Sequence, residues 1–261
     1  MSLLLTIDAG NTNTVLGVFE GTSLRAHWRL TTRREQTADE YGIFVRSLFG
    51  SSGLDPAQVD GVVLASVVPP LTSVLVNLAR QFLGREPVVV EPGVKTGMPV
   101  LYEPPGDVGA DRIVNGIAAF ETYGGPVVVV DFGTATTFDC ITGDGRFIGG
   151  VIMPGLRTAS DALVSRTAKL PATELVAPDH VIGRRTDDCI RAGVLLGTAE
   201  AVDGLVRRIK AEWPNRVIPK VIATGGLAGL VVPLTREIES THPELTLTGL
   251  RLAARALGLG W

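Results

Sequence analysis

The residues with the greatest capacity for chemistry come in two matching phrases. Ile7-Asp8-Ala9-Gly10-Asn11-Thr12-Asn13-Thr14 follows the run Leu3-Leu4-Leu5-Thr6, and Val130-Asp131-Phe132-Gly133-Thr134-Ala135-Thr136-Thr137 follows Val127-Val128-Val129. Each is a β-type run ending in Asp-X-Gly, with a Thr within two residues, and each leads into a second β-type run. An Asp at the end of a buried strand can hold a metal ion or a metal-bound water. The Gly lets the chain turn tightly and approach a ligand. Successive backbone N–H groups in such a turn, with hydroxyls beside them, make a concave nest for phosphate oxygens. Asn11, Thr12, Asn13 and Thr14 add four short hydrogen-bonding side chains. One such phrase reads equally well as an ordinary β-turn, because Gly, Asn and Asp favour turns in any case. Two of them, about one domain's length apart, read as a duplicated phosphate-handling hairpin. Facing each other, two such turns can hold one nucleoside triphosphate between two lobes.

The elements that must carry these turns are legible around them. Leu3–Asp8, Val15–Phe19 and Leu24–Leu30 read as three strands, with Gly21-Thr22 as a tight turn between the last two. Thr37–Phe49 has helical spacing, with Tyr41, Phe44, Val45 and Leu48 on one face. Gly61–Val68 is a nearly continuous apolar run, the pattern of a strand buried on both sides. A helix from Pro69 to Leu83, a strand at Pro87–Glu91, an irregular Gly/Pro-rich stretch from Pro92 to Val108 and a helix from Ala110 to Thr122 complete the first lobe. Loops as long as 92–108 inside a compact enzyme are usually functional. The second lobe repeats the plan: strands at Val127–Asp131, Thr136–Thr142 and Phe147–Met153, helices at Pro154–Arg166 and Asp187–Glu212, and a strand at Lys220–Thr224. Gly225-Gly226, a short helix and a closing helix at Leu250–Leu257 follow. The expected fold class is α/β, two domains at 1–124 and 125–261, each a mixed sheet flanked by helices.

Composition narrows the function classes. The chain has 261 residues, 45% hydrophobic and 20% charged, with a net charge of −3. That suits one large or two medium domains. The slight acidity gives no footprint for nucleic acid. No run approaches the ~20 apolar residues of a membrane helix, and Leu3–Ile7 is too short for a signal peptide's apolar region. The expectation is a soluble, cytoplasmic protein with neither nucleic acid nor membrane as partner. Cys140 and Cys189 lack CxxC spacing, so each reads as a small buried or half-buried apolar residue. His27, His180 and His242 are scattered, without the clustering of a zinc site. No Gly-X-Ser-X-Gly elbow supports a hydrolase.

Taken together, Asp8-Ala9-Gly10-Asn11-Thr12, Gly109-Ala110-Asp111-Arg112, Asp131-Phe132-Gly133-Thr134-Ala135-Thr136-Thr137 and Thr224-Gly225-Gly226 occur in an order that resembles type III pantothenate kinase. Ser165–Pro171 and Ile182–Thr186 lie between the last two and belong to the same resemblance. That family is part of the acetate and sugar kinase/Hsp70/actin superfamily, so the resemblance implies two ribonuclease H-like, actin-like domains. It implies transfer of the ATP γ-phosphoryl group to pantothenate, the first step towards coenzyme A. Asp8, Ala9, Gly10, Asn11, Thr12, Asn13, Thr14 and Val15 would bind the triphosphate, with Asp8 on Mg²⁺. Thr134 would contact the phosphates, and Gly225 and Gly226 the adenosine. Asp131 matches the ligand of a monovalent cation, K⁺ or NH₄⁺.

The same resemblance makes Asp111 the general base and places Tyr102, Gly109, Ala110, Asp111, Arg112 and Thr186 around pantothenate. On its residue type alone, Asp111 is a natural helix-start residue. Arg112 offers a fork of donors suited to a carboxylate, and pantothenate carries one. Tyr102 reads locally as loop packing, and Thr186 before Asp187-Asp188 as an N-cap. The family is a homodimer whose Thr186 counterpart serves the partner's site. The helices at Pro154–Arg166 and Asp187–Glu212 are the interface candidates. Two alternatives share the phosphate turns: another small-molecule kinase of the superfamily, and a non-catalytic relative acting as a transcription accessory factor.

Overall fold

The computed structural model describes residues 2–91, 93–94 and 96–261. Pro92, where the expected irregular stretch begins, lies outside the described residues. The first half of the chain gives β1 (Leu3–Ala9), β2 (Asn13–Glu20), β3 (Ser23–Thr31), α1 (Ala38–Ser51), β4 (Val59–Ser66), α2 (Pro69–Phe82), β5 (Val88–Val90) and α3 (Ala110–Tyr123). The second gives β6 (Val127–Phe132), β7 (Ala135–Ile141), β8 (Phe147–Pro154), α4 (Leu156–Arg166), α5 (Thr186–Arg191), α6 (Gly197–Glu212), β9 (Lys220–Thr224), α7 (Ala228–Val231), β10 (Ser240–Thr241) and α8 (Leu245–Ala256). A π-helical segment, Ala192–Leu196, joins α5 to α6.

The two sheets have one topology. Their strand orders are β3-β2-β1-β4-β5 and β8-β7-β6-β9-β10. In each, the first three strands pair antiparallel, and the two added later pair parallel. Asp8 lies opposite Val15 and Ala65, and Asp131 opposite Thr137 and Thr224. The duplication read from the two phrases therefore extends to strand order and register.

Contacts divide the chain into two compact units, Met1–Glu121 with Leu245–Trp261, and Thr122–Glu244. This corrects the expected 125–261 domain: the last helix belongs to the first unit. Leu247, Leu250, Ala253 and Ala254 of α8 cluster with Leu4, Phe19, Val63 and Ala65. Gly249 permits the approach, since a Cβ there would lie 2.5 Å from the carbonyl carbon of Val114.

Alternation explains why the first sheet is covered twice. Leu3, Leu5, Ile7 and Ala9 face one cluster with α1 and α2, while Leu4 faces the cluster holding α8. β4 splits in the same way, with Val62 and Leu64 on one side and Val63 and Ala65 on the other. A Thr37–Glu40 capping box starts α1. Its buried face is Tyr41, Val45 and Phe49; Phe44, expected inside, is 41% exposed. In the second unit Val128, Val130 and Phe132 pack with Phe138, Cys140 and helix residues Leu156, Ile190, Val202 and Val206. Cys140 is buried, but Cys189 is exposed, contrary to its expected half-buried role. Among the described residues no helix is long and apolar enough to cross a membrane.

Candidate active site

The first turn is tied down from three sides. The last β1–β2 pair is Ala9 with Thr14, which leaves residues 10–13 as the loop. The Gly10 N–H donates to Asn13 O at 3.0 Å, and a Cβ on Gly10 would meet that oxygen at 3.1 Å. Thr32, just past β3, donates its backbone N–H to Thr12 O (3.0 Å) and its hydroxyl to Gly10 O (2.7 Å). Thr14, fully buried, shares its hydroxyl with Thr32 (2.9 Å) and Tyr41 (3.3 Å). The frame is therefore rigid, while Asn11 and Thr12 stay exposed and Asp8 and Asn13 half-buried.

Asp111 lies beside this turn. The Val67 N–H donates to Ala9 O at 3.0 Å, and the Val67 side chain lies 3.7 Å from where a Gly109 Cβ would sit. The Asp111 carboxylate folds back over Gly109, where any side chain would strike its Oδ1. That oxygen accepts the Arg112 N–H at 2.9 Å. Asp111 keeps some solvent access, yet burial pushes its carboxyl above the ordinary value of 3.8, against the opposing pull of the Arg112 backbone N–H and charge. A carboxyl so placed is a better proton acceptor than an exposed Asp. Arg112 is 7% exposed, with its guanidinium carbon 6.0 Å from the Tyr102 ring centroid. Tyr102, Gly109, Ala110, Asp111 and Arg112 thus gather next to the first turn, within one unit.

The second turn is shorter. Phe132 pairs with Thr136, which leaves only residues 133–135 as the loop. Gly133 N–H donates to Ala135 O (3.0 Å), while Gly155 N–H (3.1 Å) and the Thr158 hydroxyl (2.7 Å) both reach Thr134 O. Thr134 presents an exposed side chain. Gly225 has φ +95° and lies against Asp131; a Cβ there would be 2.6 Å from Phe132 N. Neither the conformation nor the space admits another residue. Asp131, Thr134, Gly225 and Gly226 are thereby one constellation in the second unit.

Thr186 stands apart from it. Thr186 is the first residue of α5, and Arg185 occupies the flanking position with no side-chain cap. The expected N-cap is therefore one residue out. Thr186 lines an open pocket of about 440 Å³ with Pro171–Glu174, Arg185, Asp187 and Arg191. None of the other expected site residues lines that pocket. Thr32 and Thr158 are contributors that motif reading missed. Their signal is positional: each comes soon after the third strand of its copy and donates to a carbonyl of its turn. Among the described residues no group of three or more His, Cys, Asp or Glu could hold a metal.

A family model described as type III pantothenate kinase matches residues 4–208. The type III pantothenate kinase of Moorella thermoacetica is 53% identical over 250 residues, 96% of this chain and 98% of that protein. The chain belongs to the type III pantothenate kinase family. Solved structures show the fold more widely. A Campylobacter jejuni protein described as a Baf family transcriptional activator has TM-score 0.60 at 20% identity, covering 96% of this chain and 97% of its own. Component A of the (R)-2-hydroxyglutaryl-CoA dehydratase from Acidaminococcus fermentans has TM-score 0.57 at 13% identity, covering 98% and 97%. The fold class is α/β, with two actin-like mixed sheets flanked by helices, as the family's residues implied.

Proposed function

We propose that this protein transfers the γ-phosphoryl group of ATP to the hydroxyl of pantothenate, giving 4′-phosphopantothenate and ADP. The observation that carries the reading is the Asp111 carboxyl, raised in pKa by burial and set beside both Arg112 and the first Asp-X-Gly turn. Phosphoryl transfer needs a positioned hydroxyl, an acceptor for its proton and neutralisation of phosphate charge. Asp111 takes the hydroxyl proton as that oxygen bonds to the γ-phosphorus, and the bond to the β-phosphate oxygen breaks to release ADP. Arg112, stacked near Tyr102, holds the pantothenate carboxylate. The N–H groups and hydroxyls of residues 8–15 cradle the triphosphate, with Thr134 on the phosphates and Gly225-Gly226 on the adenosine.

Two ions fit these residues. Asp8 offers a hard carboxylate at a strand end, and Mg²⁺ is commonly held by one or two carboxylates together with substrate phosphates. Bound there, it would neutralise charge on the phosphates. Asp131 presents a carboxylate oxygen close against Gly225, a hard donor suited to K⁺ or NH₄⁺. We also assign a homodimer in which Thr186 completes the partner's pantothenate site. Its separate pocket and the exposed apolar Ile152 and Leu163 near the interface helices support that assignment. The test is ADP release measured with and without pantothenate, in K⁺ and in Na⁺. Release should need pantothenate and be greater in K⁺. Release that ignores pantothenate would overturn the substrate, and equal rates in both salts would overturn the cation.

A further inference from the structure

The turn at Gly225-Gly226 has no side chains of its own to fix it. Two successive glycines have the widest choice of backbone conformations, so their placement depends on the residues at either side. On the far side Leu227 donates its N–H to Phe132 O at 3.2 Å. On the near side stands Thr224, the last residue of β9, which is 1% exposed. Its strand partner in β6 is Asp131. On the other edge the pairing of β9 with β10 ends one residue earlier, at Ala223 with Thr241.

His242 continues where that pairing stops. Its N–H donates to Ala223 O and its carbonyl accepts the Thr224 hydroxyl, both at 2.8 Å. Thr224 is thus held from both edges at the point where the chain leaves the sheet for the glycines. The His242 side chain is held in turn. Its ring stands edge-on to the Tyr123 ring, with centroids 5.6 Å apart and planes at 80°. Nε2 contacts the Tyr123 hydroxyl, and Ser240 Oγ lies 3.3 Å from Nε2 and 3.2 Å from that hydroxyl. The Lys220 ammonium sits 4.9 Å from the centre of the Tyr123 ring and pairs with Glu239 at 3.3 Å. All of these residues belong to the second unit, and the proposed transfer calls on none of their side chains.

We infer that Thr224 and His242 form a clamp that positions the glycine turn for the nucleotide, and that the His242 ring holds the clamp in place. This rests on the reading of Gly225-Gly226 as a contact of ATP. The turn touches the nucleotide; Thr224 and His242 are positioning residues that act only through it. Thr224 is buried, with its hydroxyl donated to His242 O, so it offers ATP no surface of its own. Freed from the clamp, the two glycines must be ordered when ATP binds, and that cost falls on ATP affinity alone.

Steady-state kinetics on Thr224→Val, Thr224→Ser, His242→Ala and the valine and alanine changes combined test this, because KM does not depend on the fraction of enzyme that is folded. Valine keeps the shape of threonine and removes the donor; serine keeps the donor. Thr224→Val should raise KM for ATP about tenfold, the scale of one ordering cost, with KM for pantothenate within about twofold. Thr224→Ser retains the hydroxyl and should stay within about twofold of wild type in both. His242→Ala should raise KM for ATP about threefold, and the combined variant should be no worse than Thr224→Val, because both lesions open one clamp. If Thr224→Val yields no folded protein, His242→Ala carries the same split. Wild-type KM for ATP in Thr224→Val or His242→Ala overturns the inference. Equal rises in both KM values, a serine variant as impaired as valine, or an additive combination overturn it too. If Gly225→Ala also leaves KM for ATP unchanged, the nucleotide-contact reading fails and takes this inference with it. If Gly225→Ala raises KM for ATP while the clamp variants do not, only the clamp fails.

Discussion

The two Asp-X-Gly turns share topology and register but not length, and the differences are complementary. In the first copy the hairpin loop spans residues 10–13; in the second, residues 133–135. The strand-to-helix turn beside it goes the other way. After β4 the chain returns to the hairpin at Val67, whose N–H reaches Ala9 O. After β9 it passes through Gly225 and Gly226 before Leu227 makes the matching bond to Phe132 O at 3.2 Å. One copy spends its extra residue on a polar loop able to wrap phosphates. The other spends it at two glycines, the first of which lets the chain pass close against Asp131. The last helices differ as well: α3 opens with Ala110-Asp111-Arg112, whereas α8 opens with Leu245-Thr246-Leu247. On the proposed function, a duplicated scaffold is divided between proton transfer in the first unit and nucleoside and cation binding in the second.

The largest effect should come from the group that only the first copy has. Asp111→Asn keeps shape but removes the proton acceptor, and kcat should fall about 10²–10⁴-fold with pantothenate binding retained. In the wild type, burial raises the carboxyl's pKa, so the acid limb of kcat/KM should lie above the ordinary Asp value of 3.8. The same shift has a sign for stability. The folded state prefers the protonated form, so this group subtracts stability above its raised pKa and ceases to do so as pH falls through it. Asp111→Asn should therefore melt at or above the wild-type temperature at pH 7. A variant that kept its kcat and melted lower would return Asp111 to the role of a helix-start residue.

Next come the paired aspartates. Asp8→Asn should lower kcat/KM by about 10²–10³-fold, the scale of one lost charge-stabilising group, with partial recovery at high Mg²⁺. Asp131→Asn should act less and differently: rates in K⁺ should fall to those in Na⁺, with the Mg²⁺ dependence unchanged. Identical ion profiles for the two variants would mean that the copies are not divided as argued.

Gly225→Ala probes the close-packed turn beside Asp131. An alanine at φ +95° also strikes Asp131 and Phe132. The strain should cost about 1–3 kcal/mol of stability and raise KM for ATP more than KM for pantothenate. Gly10→Ala is the control in the other copy. Its Cβ meets a single carbonyl at 3.1 Å, so the loss of stability should be smaller. Equal melting temperatures for the two variants would remove the special status of Gly225.

Local pattern makes much of this legible in the sequence alone. Continuous apolar runs mark β1 and β6, and the Asp-X-Gly phrases mark their ends, because both depend on neighbours in sequence. The misses depend on what lies elsewhere. Phe44 and Phe49 both fit a helical stripe, and only the packing of α1 chose Phe49. The amphipathic α8 announced an apolar face but not which sheet it would cover. Its first turn, Leu245-Thr246-Leu247-Thr248, alternates like a strand, and tertiary packing overrode that preference. In the site, Asp8 and Asp131 were legible as turn residues. The Gly225–Asp131 approach, the Val67 bridge to Gly109 and the tethers from Thr32 and Thr158 were not, since each joins segments far apart in the chain.

The smallest prediction separates the copies most cleanly. Thr14 and Thr136 both follow their hairpin loops and are both fully buried. The Thr14 hydroxyl has two partners, Thr32 and Tyr41. Among the described residues the Thr136 hydroxyl has none. Valine replaces a hydroxyl by a methyl of similar size. At Thr14 that strands the buried Tyr41 hydroxyl and removes one of the two bonds of the Thr32 hydroxyl, which should cost about 1–3 kcal/mol. At Thr136 no partner is stranded and a desolvated hydroxyl is removed, so Thr136→Val should unfold at an equal or higher denaturant concentration than wild type. Chemical denaturation of the two variants with equal m-values gives the comparison directly. A loss at Thr136 as large as that at Thr14 would mean that its hydroxyl is bonded in solution, and the two turns would then be framed alike.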